Sequence, residues 1–212
     1  PGLILKWLEI KKQNLKYNNW MITAGVDEVG RGCLAGPVVS AAVILKTTVN
    51  PKLLKDSKKI SFKKRIEIAE HIKIHSTYAI GMASVEEILK LNILQASLLS
   101  MKRAIEKLSI NPELVLIDGN FAPKGLTKFK TIINGDEKIK SISAASIIAK
   151  VYRDQLMIRL SEKFNKYAWE SNFGYGTKAH LAGLEKFGVT SHHRKGFKPI
   201  HKILSSLKSL TQ

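Results

Sequence analysis

The run Asp27-Glu28-Val29-Gly30-Arg31-Gly32 constrains this chain more than any other, because it sets charges and glycines between two apolar stretches, MITAGV before it and CLAGPVVSAAVIL after it. Residues 21–27 and 37–46 read as two strands joined by a loop from Gly30 to Gly36, a long-looped hairpin. A charged segment where two buried strands meet is held against the core, not on a solvated tail. Adjacent carboxylates, a guanidinium and glycines that permit close approach suit a metal-dependent phosphate site. An ordinary polar turn is the alternative for Asp-Glu before Gly. Strand alternation adds a condition: successive residues point to opposite faces, so Asp27 and Glu28 share a site only if the strand ends, bulges or bends there.

Downstream, Ser61 opens a helix whose apolar positions Phe62, Ile66, Ala69 and Ile72 fall on one face. A third strand is predicted over 77–83. Ser84 and Glu87 have capping-box spacing, and Leu94, Leu98, Met101, Ile105 and Leu108 form a helical core stripe after it. Asn111-Pro112 breaks that helix, and the runs 114–117 and Phe129 to Ile133 read as two further strands. Residues 143–164 are predicted as one long helix, with Ala144, Ala145 and Ala149 allowing close backbone approach. Thr177 to Phe187, closed by Gly188, and 200–210 supply C-terminal helices. The expected fold class is α/β: a mixed five-stranded sheet flanked by helices, with a helical C-terminal extension. We expect a single domain over 1–212, with a catalytic core at 20–165 and a substrate-binding extension at 166–212.

Charge narrows the partner. Lys and Arg total 35 against 17 acids, a formal charge of +18, which points to a polyanion. Nucleic acid is the natural candidate; no stretch approaches the roughly 20 apolar residues of a spanning helix, so no membrane is expected. The single cysteine, Cys33, fits a reducing compartment, and a cytoplasmic location is expected.

Two further acids stand where core packing does not explain them. Asp118 ends the strand LVLI before Gly119-Asn120, and Asp136 follows Asn134-Gly135 after the next strand. Turn chemistry accounts for either alone. Together with Asp27 and Glu28, however, they lie at strand ends, where α/β sheets gather their ligands. Two carboxylates about 4 Å apart repel by about 4 kcal/mol at an effective dielectric of roughly 20, a penalty that a hard cation removes. Oxygen-only ligands select Mg²⁺ or Mn²⁺.

The motifs GVDEVGRG followed by LAGPV, DSKK, LNIL, LIDGN, GD followed by SISAASIIAKVYRD, GYGTKAH and HHRKGFKP occur in order from about Gly25 to Pro199. In this combination the chain resembles ribonuclease HII, the type 2 ribonucleases H, of the ribonuclease H-like fold. The resemblance implies a metal-dependent endonuclease that cuts the RNA strand of RNA–DNA hybrids and cleaves at single ribonucleotides in duplex DNA. It implies that Asp27, Glu28, Asp118 and Asp136 are the catalytic metal ligands, and that Gly30, Arg31 and Gly32, with Tyr175, read the ribonucleotide. Lys58 and Asn92 match positions that touch backbone phosphate. Arg at position 31 sets the chain apart from the ribonuclease HIII variant, whose loop is Gly-Lys-Gly. Backbone groups of a glycine loop can come close enough to sense a 2′-hydroxyl, which is consistent with these roles.

Asp154, on a helix after Lys and Arg, is expected to order structure near the site and not to bind metal. His180, His192 and His193 read as packing or hydrogen-bonding residues, and Arg194, Lys195, Lys198, Lys202 and Lys208 as an electrostatic footprint. A monomer is expected. Two other readings stay open: a non-catalytic basic binding module, which leaves the four acids unexplained, and a metal-dependent nuclease of the same fold acting on DNA alone.

Overall fold

The computed structural model describes residues 21–46, 48–54 and 60–209. Five strands form one sheet: β1 (Thr23–Val29), β2 (Val38–Leu45), β3 (Ser76–Ala83), β4 (Leu114–Asp118) and β5 (Phe129–Ile132), in the order β3-β2-β1-β4-β5. The β1–β2 and β2–β3 pairs are antiparallel, whereas β1–β4 and β4–β5 are parallel. The central strand β1 is therefore where the pairing changes from hairpin to crossover connections. β1 runs two residues beyond the predicted end, so Asp27 and Glu28 both lie inside the strand. Its ladder with β4 nevertheless stops at Val26↔Ile117, and Asp27 to Val29 pair with β2. The β4 side of β1 is thus open beside both acids, and the condition set by strand alternation is met by a ladder that ends on one side only.

Helices α1 (Phe62–His75), α2 (Val85–Leu91) and α3 (Ile93–Glu106) precede β4. Ser61 caps α1 by accepting from the Lys64 amide, and Ser84 with Glu87 completes the capping box of α2. After β5 come the short α4 (Gly135–Lys138), the long α5 (Lys140–Lys163), α6 (Trp169–Asn172), α7 (Lys178–Phe187) and α8 (Lys198–Ser209). Helix α5 starts three residues earlier than the sequence suggested, and neither it nor α4 has a side-chain cap that would mark the start. No helix among the described residues is long and apolar enough to cross a membrane.

Alternation divides the core. Ala41 and Val43 of β2 pack under Ala144, Ala145, Ile148 and Ala149 of α5 on one face, with Ile68, Ala69 and Ile72 of α1 beside them. Ala24 and Val26 of β1 pack against Met101, Ala104 and Ile105 of α3 on the other. Two glycines set how closely those helices sit. A Cβ on Gly25 would meet the Ser141 carbonyl carbon at 2.1 Å, and one on Gly81 would meet the Ser100 carbonyl oxygen at 2.1 Å. A third cluster, around Met157, Tyr167, Trp169, Leu184 and Ile200, joins the end of α5 to the C-terminal helices and to Leu34 and Ala35 of the hairpin loop.

Candidate active site

One cleft of about 330 Å³ is lined by Asp27, Glu28, Asp118 and Asp136 together with Arg65, Ser146, Lys150 and Tyr175. The four acids come from three places: two from near the end of β1, one from the end of β4, one from α4. Asp27 lies on the β1 face that carries Gly25, against α5, so its carboxylate is buried and Ser146 bonds to it. Burial pushes the Asp27 pKa well above its ordinary value, and the charges of Glu28 and Asp118 push it further. Glu28 is also raised by burial, opposed by Arg31, whose Nη1 donates to Oε1 at 3.1 Å. Asp118 Oδ1 accepts from the Gly135 amide at 2.6 Å. That approach leaves little room: a Cβ at Gly135 would sit 2.7 Å from Ile142 Cδ1 and 3.2 Å from the same carboxylate oxygen. The bond ties the end of β4 to α4, where Asp136 is buried.

Mutual repulsion among Asp27, Glu28 and Asp118 in a partly desolvated cleft is the electrostatic condition that a divalent cation relieves. The donors are carboxylate oxygens, with no Cys or His lining the cleft, which fits Mg²⁺ or Mn²⁺. Among the described residues, no three Asp, Glu, His or Cys side chains converge closely enough to hold one ion as they stand. Glu28 is bonded to Arg31 and Asp118 to the Gly135 amide.

The other predicted residues divide into those at the cleft and those away from it. Tyr175 lies at the cleft and is partly exposed, with Lys150 Nζ 5.8 Å from its ring centroid. Arg31 reaches the cleft through Glu28, while Gly30 has φ +91° and Gly32 has open space where a Cβ would stand. Asn92 is elsewhere: its Oδ1 accepts from the Gln95 amide as the cap of α3, and it lines a second pocket with Arg194, Lys195 and Phe197. Lys58 lies outside the described residues. Asp154 is buried and accepts from Lys150 Nζ at 2.8 Å, so it orders a lysine that faces the acids.

Lys150, Arg65 and Ser146 line the cleft without having been singled out from sequence; the i,i+4 spacing of Lys150 and Asp154 was the available signal. Arg194 corrects an expectation. It belongs not to an exposed electrostatic footprint but to the interior, at 1% exposure. His180 and His193 are buried as well. His180 Nδ1 lies 2.9 Å from the Tyr175 carbonyl, and its Nε2 accepts from Trp169 Nε1 at 3.0 Å and meets His193 Nε2 at 3.1 Å. The Thr190 amide donates to His193 Nδ1 at 2.9 Å. The pair therefore holds the Tyr175 turn and is not part of the cleft lining.

A mixed sheet of order β3-β2-β1-β4-β5, with carboxylates gathered where β1 and β4 part, has the ribonuclease H-like fold. Comparison with known proteins narrows this. The family model described as Ribonuclease HII matches residues 24–202. A ribonuclease HII of Pelagibacter ubique (strain HTCC1062) is 58% identical over 184 residues, covering 86% of this chain and 99% of that protein. Ribonuclease H2 from Pyrococcus horikoshii OT3 superposes with a TM-score of 0.73 at 24% identity, covering 88% of this chain and 98% of that one. The ribonuclease HII of Archaeoglobus fulgidus, solved as a complex with PCNA, gives 0.66 at 28% identity over 84% of this chain and 95% of that one. The chain belongs to the ribonuclease HII family, and it is a nuclease that hydrolyses RNA in RNA–DNA hybrids.

Proposed function

We propose that this nuclease cuts on the 5′ side of ribonucleotides embedded in duplex DNA as well as within hybrids, and so removes ribonucleotides during DNA replication and repair. Asp27, Glu28, Asp118 and Asp136 would hold two Mg²⁺ or Mn²⁺ ions. The observation that carries this reading is the convergence of those four acids on one cleft that also presents Lys150 and Tyr175. When bound, the ions would supply an activated water and stabilise the leaving 3′ oxygen, giving a 3′-hydroxyl and a 5′-phosphate.

The residues around the ions bind and orient. Arg31, half exposed, can exchange Glu28 for a substrate phosphate and so free that carboxylate. Lys150, held by Asp154, adds positive charge at the phosphate side of the cleft. The uncovered backbone at Gly32 lets the loop approach a 2′-hydroxyl, and the Tyr175 ring supplies a face for the sugar or base. Asn92 and Lys58 would contact backbone phosphate, and the 166–212 extension would add to substrate binding. The charge of +18 suits long-range capture of the duplex by a monomer, and we place the enzyme in the cytoplasm.

The test uses a labelled DNA duplex containing one ribonucleotide, with and without Mg²⁺, and maps the cut. Asp118→Asn keeps an oxygen able to accept the Gly135 amide, so its fold should persist. It is expected to bind hybrid duplex normally while turnover falls by at least about 100-fold. Normal turnover by Asp118→Asn, or equal cutting of an all-DNA duplex, overturns the reading.

A further inference from the structure

Two buried guanidiniums hold the loop between β1 and β2 by its carbonyl groups. Arg153, at 0% exposure, donates from Nε to Pro37 O at 3.0 Å and from Nη2 to Ala35 O at 2.9 Å. Its remaining nitrogen, Nη1, donates to Phe173 O at 2.8 Å, one residue before the Gly174-Tyr175 turn. Arg194 donates from Nε to Gly36 O and from Nη1 to Arg31 O, both at 2.9 Å. Among the described residues neither arginine forms an ion pair. Two cations have been taken out of water with carbonyl dipoles as their hydrogen-bond partners. For packing alone an apolar side chain of similar volume would serve as well or better.

The surrounding glycines fit this arrangement. A Cβ on Gly30 would meet Arg153 Nε at 2.1 Å, and one on Gly36 would meet Met157 Sδ at 2.5 Å and Arg153 Nη2 at 3.3 Å. On the opposite side, a Cβ on Gly174 would lie 2.7 Å from Ala35 O. The Leu34 amide donates to Gly174 O at 2.8 Å, so the hairpin loop and the Tyr175 turn share both backbone bonds and one guanidinium. An arginine fork has the planar, multiply donating shape for this, whereas a lysine has one nitrogen to offer.

We propose that Arg153 and Arg194 are positioning residues for sugar recognition: together they fix the Gly30–Gly32 backbone in register with Tyr175, so that a single 2′-hydroxyl is read at one place relative to the acids. This rests on the reading of that loop and Tyr175 as the sugar-sensing pair. A loosened loop samples neighbouring registers. A lone ribonucleotide offers a hydroxyl in one register, but a run of ribonucleotides still offers one to a displaced reader.

The experiment measures kcat/KM for Arg153→Lys and Arg194→Lys on two duplexes, one with a single ribonucleotide and one with a run of four. Lysine keeps the charge, so long-range attraction of the duplex is unchanged. The ratio of single to run is expected to fall about tenfold in each variant, since misplacement by about 1 Å costs up to about 100-fold. A purely structural role lowers both rates together and leaves the ratio as in the wild type. A ratio within about twofold of wild type in a variant that is folded by circular dichroism overturns the proposal. Should either variant fail to fold, Arg153→Gln or Arg194→Gln, which keeps one donating nitrogen, is read in the same way: a fall in the ratio of single to run supports the clamp, and an unchanged ratio overturns it. Failure of the underlying reading looks different, because the wild type itself would then leave the single-ribonucleotide duplex uncut.

Discussion

Gly25→Ala tests how the sheet sets the position of the acids. The added methyl would stand 2.1 Å from the Ser141 carbonyl carbon, 2.3 Å from the Ile142 nitrogen and 2.5 Å from the Ser141 oxygen, all backbone atoms of α5. Ordinary contact begins at 3.4 Å, so β1 and α5 must part by about 1.3 Å along that line. Neither side can yield by rotating a side chain. The cost lies at or above the upper end of the overpacking range of about 1–3 kcal/mol, a large share of a domain stability of about 5–15 kcal/mol. The same displacement carries Asp27, two residues along on the same face, away from Ser146 on α5. Catalysis in the fraction that remains folded should then fall by about 100-fold. Urea unfolding followed by far-ultraviolet circular dichroism gives the first quantity, and cleavage of the single-ribonucleotide duplex well below the unfolding midpoint gives the second. Gly32→Ala is the control: open space surrounds its Cβ position, so stability should stay within about 0.5 kcal/mol, while on the proposed sugar-reading role of the loop the added bulk lowers kcat/KM. A Gly25→Ala protein as stable as the Gly32→Ala protein would refute the argument from close approach.

Other expectations concern protons and metal. Burial pushes His193 down to about 3 from an ordinary 6.5 and lowers His180 too, so the fold prefers both neutral. Their contribution is whole above about pH 6.5 and is lost as pH falls below it, by up to about 1.4 kcal/mol per pH unit for His193. Urea midpoints that stay flat between pH 6.5 and 5 would contradict this, and His193→Gln should reduce the slope. Mg²⁺ held by the proposed ligands would relieve the repulsion among Asp27, Glu28 and Asp118, so it should raise the melting temperature, with about 2.7 kcal/mol gained at 100 times Kd. EDTA should reverse the shift and abolish cleavage; scanning calorimetry with and without the ion checks the first half. Because 35 basic residues face 17 acidic ones, duplex affinity should fall steeply between low and moderate salt, which a binding titration measures directly.

Much of this architecture is legible in the chain because it is written in local chemistry. Ser61 and Ser84 cap the helices they were expected to cap, and Met101 and Ile105 of the apolar stripe on α3 are buried against the sheet. The Gly188 end of α7 follows from its φ of +76°. The starts of α4 and α5 were not legible, since Asn134 and Ile139 make no side-chain cap bond there. Asp27, Glu28, Asp118 and Asp136 could be singled out because turn chemistry at each is weighed against their joint placement and because ordered motifs match a family; the structure brings all four to one cleft. The buried roles of Arg153 and Arg194 were not legible, for the opposite reason. Their partners are carbonyl groups 20 to 163 residues away, which carry no side-chain signal. Arg194 also sits in a run of basic residues, where a solvated role is the economical expectation.

The pairing of Leu34 with Arg194 also has a temporal side. Leu34 O accepts from the Arg194 amide at 2.8 Å, and Ala35 bridges His193, so the hairpin loop is completed by chain made 160 residues later. At roughly 5–20 residues per second, a ribosome takes on the order of ten seconds or more to deliver that stretch. A nascent chain thus carries its first acids long before the loop beside them is set, because that loop closes only once Arg194 has been made.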